Sequence, residues 1–377
     1  MVTAGSMVAN LAAYVLQWRA SAWLGPQGYG EFASLLAAQL VLAVPALALQ
    51  TVVARESVRG KSDIELRRLS QWCAAVVAVL ALALSPLVAA LLDTAVTTSM
   101  AALITAPFLV LLAGEQGLLQ GRSRFAALSV LLAGAGLAKV IPAVAVLALG
   151  GSTAPALVAG AAGTVAVAIV ARLRAPENKA STSDDTDILR WPSVLAASQV
   201  QLVIIVLSSV DLVLSRAVLS NEDAGLYAIG AVVTKAAFWL PQSVGVVFYP
   251  RLADPMRSAR AIRTAVTVLT GIGAAVVIGV LIAAPHAGLI LRVEYEPVFG
   301  SLWIFAVQGA ALAVVQLTLI SSVARGNTRP AVIAWVGLGV ELVAIAVFGS
   351  SVTALAVVAA LAAVVTAAAV CAQVMRG

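Results

Sequence analysis

Charged and aromatic side chains are both scarce in this chain. Asp, Glu, Lys and Arg make up only 11% of its 377 residues, and Phe, Trp and Tyr only 5%. Hydrophobic residues reach 62%, and the mean hydropathy is +1.04. Soluble globular proteins carry about 25% charged residues, so this chain has too little polar surface for a fold surrounded by water. The composition excludes an ordinary soluble enzyme and predicts an integral membrane protein.

Metal-ligating and nucleophilic residues are nearly missing as well. The chain has two cysteines and one histidine. Cys73 and Cys371 lie in apolar runs far apart in the sequence, and neither has a Cys or His close by. Zinc sites and redox pairs need closely spaced ligands, and neither a Gly-rich phosphate loop nor a Ser/His/Asp set stands out. We therefore expect no catalytic residue, no metal and no cofactor.

Long apolar runs make up most of the sequence. A helix needs about 20 apolar residues to cross about 30 Å of hydrocarbon, and the runs lack the alternation of barrel strands. No Lys or Arg precedes the first run, so it is predicted to be a retained span rather than a signal peptide. The fold class predicted is an all-α polytopic membrane protein with twelve spans: 3–24, 31–53, 71–92, 99–119, 126–149, 154–172, 193–219, 225–249, 262–284, 298–320, 330–349 and 352–374.

The basic residues are distributed unequally between the two sets of connections. One set holds most of the 23 Lys and Arg residues, and the other holds only Arg292. Because cytoplasmic loops are enriched in Lys and Arg, this pattern predicts a multi-pass membrane protein with both termini in the cytoplasm. The net charge of +6 then reflects topology, and we expect no nucleic-acid partner. The cytoplasmic set is Arg55, Arg59, Lys61, Arg67, Arg68, Arg122, Arg124, Arg172, Arg174, Lys179, Arg190, Arg251, Arg257, Arg260, Arg263, Arg325, Arg329 and Arg376.

A polar segment divides the chain into two similar halves. Residues 175–190 read as a solvated connector, and several turn and span residues before it recur after it at nearly constant offset. Six spans return the chain to its starting side, so the halves are predicted to be parallel repeats. The domains predicted are an N-terminal six-helix lobe at 1–174, a cytoplasmic linker at 175–190 and a C-terminal six-helix lobe at 191–377. The recurring pairs are Arg19 and Arg216, Gly30 and Gly225, Pro45 and Pro241, and Arg55 and Arg251.

Charged residues inside the spans are the candidate functional residues. Each costs about 2.5–3.5 kcal/mol at the centre of the bilayer, so such residues usually face an aqueous cavity or the bundle interior. The candidates for a cationic substrate cavity are Arg19, Lys139, Arg216 and Lys235. The candidates for ion coupling are Asp211, Glu341 and Glu115. The alternative for every member is a structural pair or, for Arg19 and Arg216 near the outer surface, snorkelling to the interface.

Two prolines mark candidate hinges. Pro45 and Pro241 occupy equivalent positions in spans 2 and 8. Each removes a backbone hydrogen bond and favours a kink. A kinked helix can bend during transport, although kinks also occur in static bundles.

Three turns resemble those of a known transporter family. They are Leu24–Gly30 (LGPQGYG), Asp211 followed by Ala-Gly-Leu-Tyr at 224–227, and Gly-Arg-Ser-Arg at 121–124. Within segments 24–55 and 208–255 especially, the chain resembles the oligosaccharide-lipid flippases of polysaccharide biosynthesis. That family belongs to the MOP superfamily, which also contains the MATE multidrug exporters.

The resemblance implies a V-shaped bundle of two six-helix lobes that opens alternately to either membrane face. Its substrate would be a polyprenyl-diphosphate sugar moved to the outer leaflet, with the basic cavity residues contacting the diphosphate. Membrane lipid and envelope polysaccharide assembly proteins are the other expected partners. The alternatives are a MATE-like proton- or sodium-coupled exporter of small cations, a membrane-embedded polysaccharide polymerase and a structural scaffold for envelope assembly.

Overall fold

The computed structural model describes residues 2–174, 191–239, 258–324 and 329–376, and their regular secondary structure is entirely helical. This confirms the all-α fold class. The linker 175–190, Pro241 and five of the predicted cytoplasmic basic residues (Lys179, Arg190, Arg251, Arg257 and Arg325) lie outside the described residues. The α-helices are α1 Val2–Leu42, α2 Val44–Val58, α3 Asp63–Leu92, α4 Val96–Leu103, α5 Thr105–Gly121, α6 Phe125–Ala148, α7 Thr153–Arg174, α8 Trp191–Leu207, α9 Val210–Val218, α10 Asn221–Trp239, α11 Ser258–Ala283, α12 Glu296–Phe299, α13 Leu302–Ala324, α14 Arg329–Phe348 and α15 Val352–Arg376.

Helices among the described residues coincide with most of the predicted spans, and the total of twelve stays a prediction. In this part of the chain, nine helices are long and apolar enough to cross a membrane, and the bent pair formed by α8 and α9 makes ten. The longest, Val2–Val58, covers the first two predicted spans. It bends at Gly25, whose φ of 68° and ψ of 179° suit glycine alone. The eighth predicted span, 225–249, is described only as far as Trp239.

Many helix surfaces are apolar and exposed, as expected of spans that face lipid. Val79, Val130 and Val343 are 65%, 74% and 65% exposed. In water such surfaces would drive association, whereas in a bilayer they are solvated by hydrocarbon. The exposed apolar surfaces are therefore those of a membrane protein, in agreement with the composition.

Several helices extend beyond the apolar runs. Arg55 lies within α2, and Arg67 and Arg68 lie within α3, although the sequence placed all three in a loop. The short turn between Val58 and Asp63 explains the difference. A helix that continues past the membrane surface keeps the backbone N–H and C=O groups of its last membrane-embedded turn hydrogen-bonded.

The first compact unit consists of residues 1–24 and 31–201. Its core includes Leu49 and Val53 of α2, Leu66 of α3 and Val110 of α5, all fully buried. Three glycines of α5 allow this packing. A Cβ added at Gly114 would lie 2.3 Å from Ser70 Oγ, one at Gly117 2.6 Å from the Gln50 carbonyl oxygen, and one at Gly121 2.6 Å from the Ala54 carbonyl oxygen. Small residues bring membrane helices into backbone contact in this way.

The second compact unit consists of residues 25–30 and 202–377. Segment 25–30 packs on the first turns of α10, where a Cβ added at Gly225 would lie 1.9 Å from the Pro26 carbonyl oxygen. Tyr29 is fully buried, with its ring edge-on to Tyr295 at 6.5 Å between centroids. Burial raises the pKa of the Tyr295 phenol above its usual value, with a smaller contribution from Glu294. The division between units falls at residue 201, within α8, and the predicted lobes 1–174 and 191–377 stay a prediction.

Candidate functional site

A buried carboxylate lies just after a break between two helices. α8 ends at Leu207, α9 begins at Val210, and the pair is bent by 42°. Asp211 is in the first turn of α9 and is only 1% exposed. Its Oδ2 accepts hydrogen bonds from the Tyr227 hydroxyl at 2.7 Å and from Gln308 Nε2 at 2.8 Å.

The same network extends to a second layer of polar groups. Thr234 Oγ1 lies 3.1 Å from Gln308 Oε1 and 3.1 Å from the Phe305 carbonyl oxygen. The threonine hydroxyl can donate to the Gln308 oxygen, which fixes the amide so that its nitrogen points at Asp211. Residues of α9, α10 and α13 therefore hold one carboxylate oxygen in a defined position.

The other oxygen of Asp211 is differently placed. Asp211 Oδ1 and the nearby Ser209 Oγ are both buried, and neither has a hydrogen-bond partner among the described residues. A buried polar atom without a partner is costly. Such an atom can bind a proton or a small cation, so this side of Asp211 is where we place the candidate ion site.

Two further charged residues are close to this carboxylate. Glu341 of α14 is 2% exposed, and Lys235 of α10 is partly buried. Both are within electrostatic range of Asp211. Two acids and one base therefore lie near one another, and such a cluster can take up a proton or a monovalent cation. The structure thus brings together three of the residues singled out from sequence.

Glu115, the third predicted coupling residue, has a different environment. It lies in the first unit, is 7% exposed, and forms a two-pronged ion pair with Arg67, with Nε–Oε1 and Nη2–Oε2 distances of 3.0 and 3.1 Å. Arg172 Nη1 is 3.7 Å from the same Oε1. A carboxylate held by two guanidinium groups has its charge compensated. This geometry favours the structural alternative for Glu115.

The basic candidates are in three different environments. Arg19 is exposed, and its guanidinium lies 4.6 Å from the centroid of Trp18 and 5.4 Å from that of Trp23. Tryptophans are enriched at membrane–water interfaces, and an exposed guanidinium over two of them is attracted to their rings, so the structure favours snorkelling for Arg19. Arg216, in the last turn of α9, is only 6% exposed, which argues against snorkelling there.

Lys139 is partly buried in the first unit. It lines a cavity of about 10 Å³ together with Gln39 and Thr105. That volume holds about one water molecule and no sugar or phosphate group. The proposed role of Lys139 and of the other three basic residues in substrate binding stays a prediction.

Pro45 lies at a discontinuity in the backbone. α1 ends at Leu42 and α2 begins at Val44, so Pro45 is in the first turn of α2, where its missing N–H costs nothing. The break at Ala43 accords with the kink expected from sequence. Its role as a hinge stays a prediction.

Sequence reasoning missed three groups that build these sites. Gln308 and Thr234 are uncharged and were not considered, although each is a polar residue inside an apolar run. Arg67 was placed in a cytoplasmic loop because of its charge. A search for every polar side chain within the spans would have found the first two, whereas the pairing of Arg67 with Glu115 needs the packing of α3 on α5.

Comparison with known proteins identifies the architecture. No protein-family model matches the sequence, and no curated protein matches it. An inward-facing MATE-family multidrug resistance transporter of the MOP superfamily superposes with a TM-score of 0.70 at 13% identity, over 98% of this chain and 95% of its own. The lipid II flippase MurJ in an inward closed conformation also gives 0.70 at 13% identity, over 98% and 87%.

A MOP superfamily transporter from Pyrococcus furiosus is similar too. Its reverse binding-pocket polarity is taken to suggest a different function, and it gives a TM-score of 0.58 at 13% identity over 100% of this chain and 94% of its own. These identities establish similarity of fold. The chain therefore has the fold that the MATE exporters and the lipid II flippase of the MOP superfamily share.

Proposed function

We propose that the chain is a flippase that moves a lipid-linked oligosaccharide, a polyprenyl-diphosphate sugar, to the outer leaflet of the bacterial cytoplasmic membrane. It works by alternating access and without covalent chemistry. The observation that carries the proposal is the fold shared with a lipid II flippase over 98% of the chain. The three turns at 24–30, 121–124 and 224–227 support the same family.

The charged residues inside the spans each have a role in this proposal. Lys139, Arg216 and Lys235 attract the anionic diphosphate by their charge, although the cavity of about 10 Å³ beside Lys139 is too small to hold it. Asp211 and Glu341 bind the coupling proton or sodium ion. Arg19, beside its two tryptophans, acts at the interface. Glu115 holds helices together through Arg67.

A second candidate is a MATE-like exporter of small cations. The specific observation in its favour is the buried, acidic surroundings of Asp211, because a cationic drug could replace the coupling ion there. Expression in a dye-sensitive bacterial strain separates the two. Efflux of a cationic dye favours the exporter, and unchanged dye accumulation favours the flippase.

The test of the flippase is leaflet transfer in proteoliposomes. A fluorescent polyprenyl-diphosphate sugar is reconstituted with the full chain, and an impermeant quencher reports the fraction in the outer leaflet. We expect transfer with the native chain and its loss with the double variant Lys139→Ala, Lys235→Ala. Arg68→Ala, which removes an exposed charge outside the apolar runs, is the matched control. Correctly inserted native protein that transfers no labelled lipid would overturn the proposal.

A further inference from the structure

The first unit contains a small cavity between α1, α5, α6 and α7. Its volume is about 10 Å³, and a cavity of roughly 10–15 Å³ has room for about one water molecule. A single water molecule or a monatomic ion can therefore occupy this cavity. A phosphate group, a sugar or a drug-sized molecule is too large for it.

The side chains that line this cavity favour an anion over a cation. Its polar lining residues are Gln39 of α1, Thr105 of α5 and Lys139 of α6, and the rest of the lining is apolar. No Asp or Glu occurs among the described residues that line it. A cation there would lie beside the positive charge of Lys139 with no carboxylate to compensate it, whereas an anion would be attracted.

The two neutral polar side chains can both donate hydrogen bonds to an occupant of the cavity. Gln39 and Thr105 are each only 2% exposed. Among the described residues, neither the Gln39 amide nor the Thr105 hydroxyl has a hydrogen-bond partner. Burying such a group without a partner is costly, so an occupant that accepts hydrogen bonds would stabilise the folded unit. A halide ion accepts from an amide N–H and from a hydroxyl, and more strongly from an ammonium group.

Close packing of α7 on α6 holds Lys139 at the wall of the cavity. Gly160 of α7 lines the cavity, and a Cβ added to it would lie 3.1 Å from the Lys139 carbonyl oxygen and 3.6 Å from Lys139 Cγ. A Cβ added at Gly163 would lie 1.7 Å from the Ala138 carbonyl oxygen. Such glycines bring two membrane helices into backbone contact. The first carbons of the Lys139 side chain therefore lie against α7, beside the cavity.

We propose that the cavity lined by Gln39, Thr105 and Lys139 binds a single chloride ion. Lys139 compensates the charge of the ion, and the Gln39 amide and the Thr105 hydroxyl donate hydrogen bonds to it. Chloride is only slightly larger than a water molecule, whereas iodide is much larger, so the site selects by size. The inference goes beyond the proposed function and does not depend on leaflet transfer, because chloride would compensate Lys139 whether or not this lysine also attracts a cargo.

The experiment measures thermal unfolding of the full chain in detergent while sodium chloride replaces sodium gluconate at constant ionic strength. A ligand that binds only the folded state raises the unfolding temperature as its concentration increases. Three variants each remove one polar group of the cavity: Lys139→Met, Gln39→Leu and Thr105→Val. The matched control is Thr164→Val, which removes the hydroxyl of another buried threonine of the same unit that does not line the cavity.

We expect chloride to raise the unfolding temperature of the native chain and of Thr164→Val, and to have no such effect on Lys139→Met. In Gln39→Leu and Thr105→Val, the loss of one hydrogen bond to the ion should raise the chloride concentration that gives half the effect about tenfold. The same chloride response in the native chain and in all three cavity variants would indicate a general salt effect, with water in the cavity, and would overturn the inference. A native chain that does not respond to chloride would overturn it too.

Two measurements on the native chain need no variant. Iodide in place of chloride should stabilise the protein less, because the larger ion does not fit the cavity, and stronger stabilisation by iodide would overturn the inference. In chloride NMR, exchange of free chloride with a buried site broadens the signal of the free ion. The excess linewidth should persist when iodide is added and disappear when the protein is unfolded by heat. Loss of the broadening on addition of iodide, or equal linewidths for folded and unfolded protein, would each overturn the inference.

Discussion

Two of the buried carboxylates, Asp211 in the second unit and Glu115 in the first, differ in the chemistry of their hydrogen-bond donors. Asp211 accepts from a tyrosine hydroxyl and a glutamine amide, both of them uncharged. Glu115 accepts from the guanidinium of Arg67 at both oxygens. Neutral donors hold a carboxylate in place without cancelling its charge, whereas an arginine cancels it. We therefore predict that Asp211 can exchange an ion, whereas Glu115 holds α3 and α5 together.

Replacing Asp211 by Asn tests the coupling role. The amide oxygen of Asn can still accept from Tyr227 or Gln308, but the side chain can neither take up a proton nor carry a negative charge. We expect the leaflet-transfer rate of Asp211→Asn to be the same with and without an imposed proton or sodium gradient. The unfolding free energy should fall by about 1 kcal/mol, the usual value of one hydrogen bond. Glu222→Gln, at an exposed position of α10, is the control, and a gradient response that survives in Asp211→Asn would argue against coupling there.

Removing only one member of the Arg67–Glu115 pair should destabilise the protein strongly. Glu115→Gln breaks a buried ion pair by removing the charge of one member, which costs about 3–5 kcal/mol. The double variant Arg67→Met, Glu115→Met should recover most of that loss, because no charge is then left buried. Thermal unfolding in detergent measures both effects. If the double variant is stable but its transport no longer responds to a gradient, Glu115 has a coupling role after all.

At the level of single residues, sequence could identify charged positions but not their partners. Asp211, Lys235 and Glu341 were singled out because charge inside an apolar run is costly, and the structure brings them together. The pairing of Glu115 with Arg67 joins positions 48 residues apart. No local pattern contains that information. It depends on the rotation of α3 and α5 about their axes.

At the level of helices, the apolar runs predicted the spans well because their length is set by the bilayer. Of the breaks inside them, only the first was expected: α1 and α2 separate at Ala43, α4 and α5 at Ile104, and α8 and α9 at Ser208–Ser209. An apolar run has the same composition on both sides of such a break. Only the first break has a local sequence feature that indicates it, namely Pro45, two residues after Ala43.

The glycines of α5 offer a test of helix packing. Gly117→Leu would place a side chain against the Gln50 carbonyl and Val53 of α2, so α5 would have to move outward. We expect a lower unfolding temperature in detergent and less folded protein after purification. Gly134→Leu in α6 is the matched control, because a Cβ at that position meets nothing within 4 Å. Its melting temperature should stay the same or rise, since leucine favours helix more than glycine does. Equal losses in both variants would show that the α5 glycines have no special packing role.

At the level of the whole molecule, sequence predicted more about topology than about shape. The basic residues cluster in alternate connections, and the positive-inside rule converts that pattern into an orientation. The described turn between α11 and α13 contains Arg292 and the acidic residues Glu294 and Glu296, all exposed. It contains a single basic residue, as the positive-inside rule predicts for an outer connection. The turn between α2 and α3 is flanked by Arg55, Arg59 and Arg68, as a cytoplasmic one requires.

Single introduced cysteines measure this orientation directly. The native Cys73 and Cys371 are buried and are first replaced by Ala to remove background labelling. Glu296→Cys lies in the predicted outer turn and Arg68→Cys at the predicted cytoplasmic end of α3, both at exposed positions. In intact cells, an impermeant maleimide should label Glu296→Cys, while Arg68→Cys should be labelled only after permeabilisation. This expectation follows from the positive-inside rule. Arg55, Arg59 and Arg68 flank the turn between α2 and α3, and connections rich in Lys and Arg stay in the cytoplasm. The opposite labelling pattern would contradict the predicted orientation, because the turn rich in basic residues would then lie outside the cell.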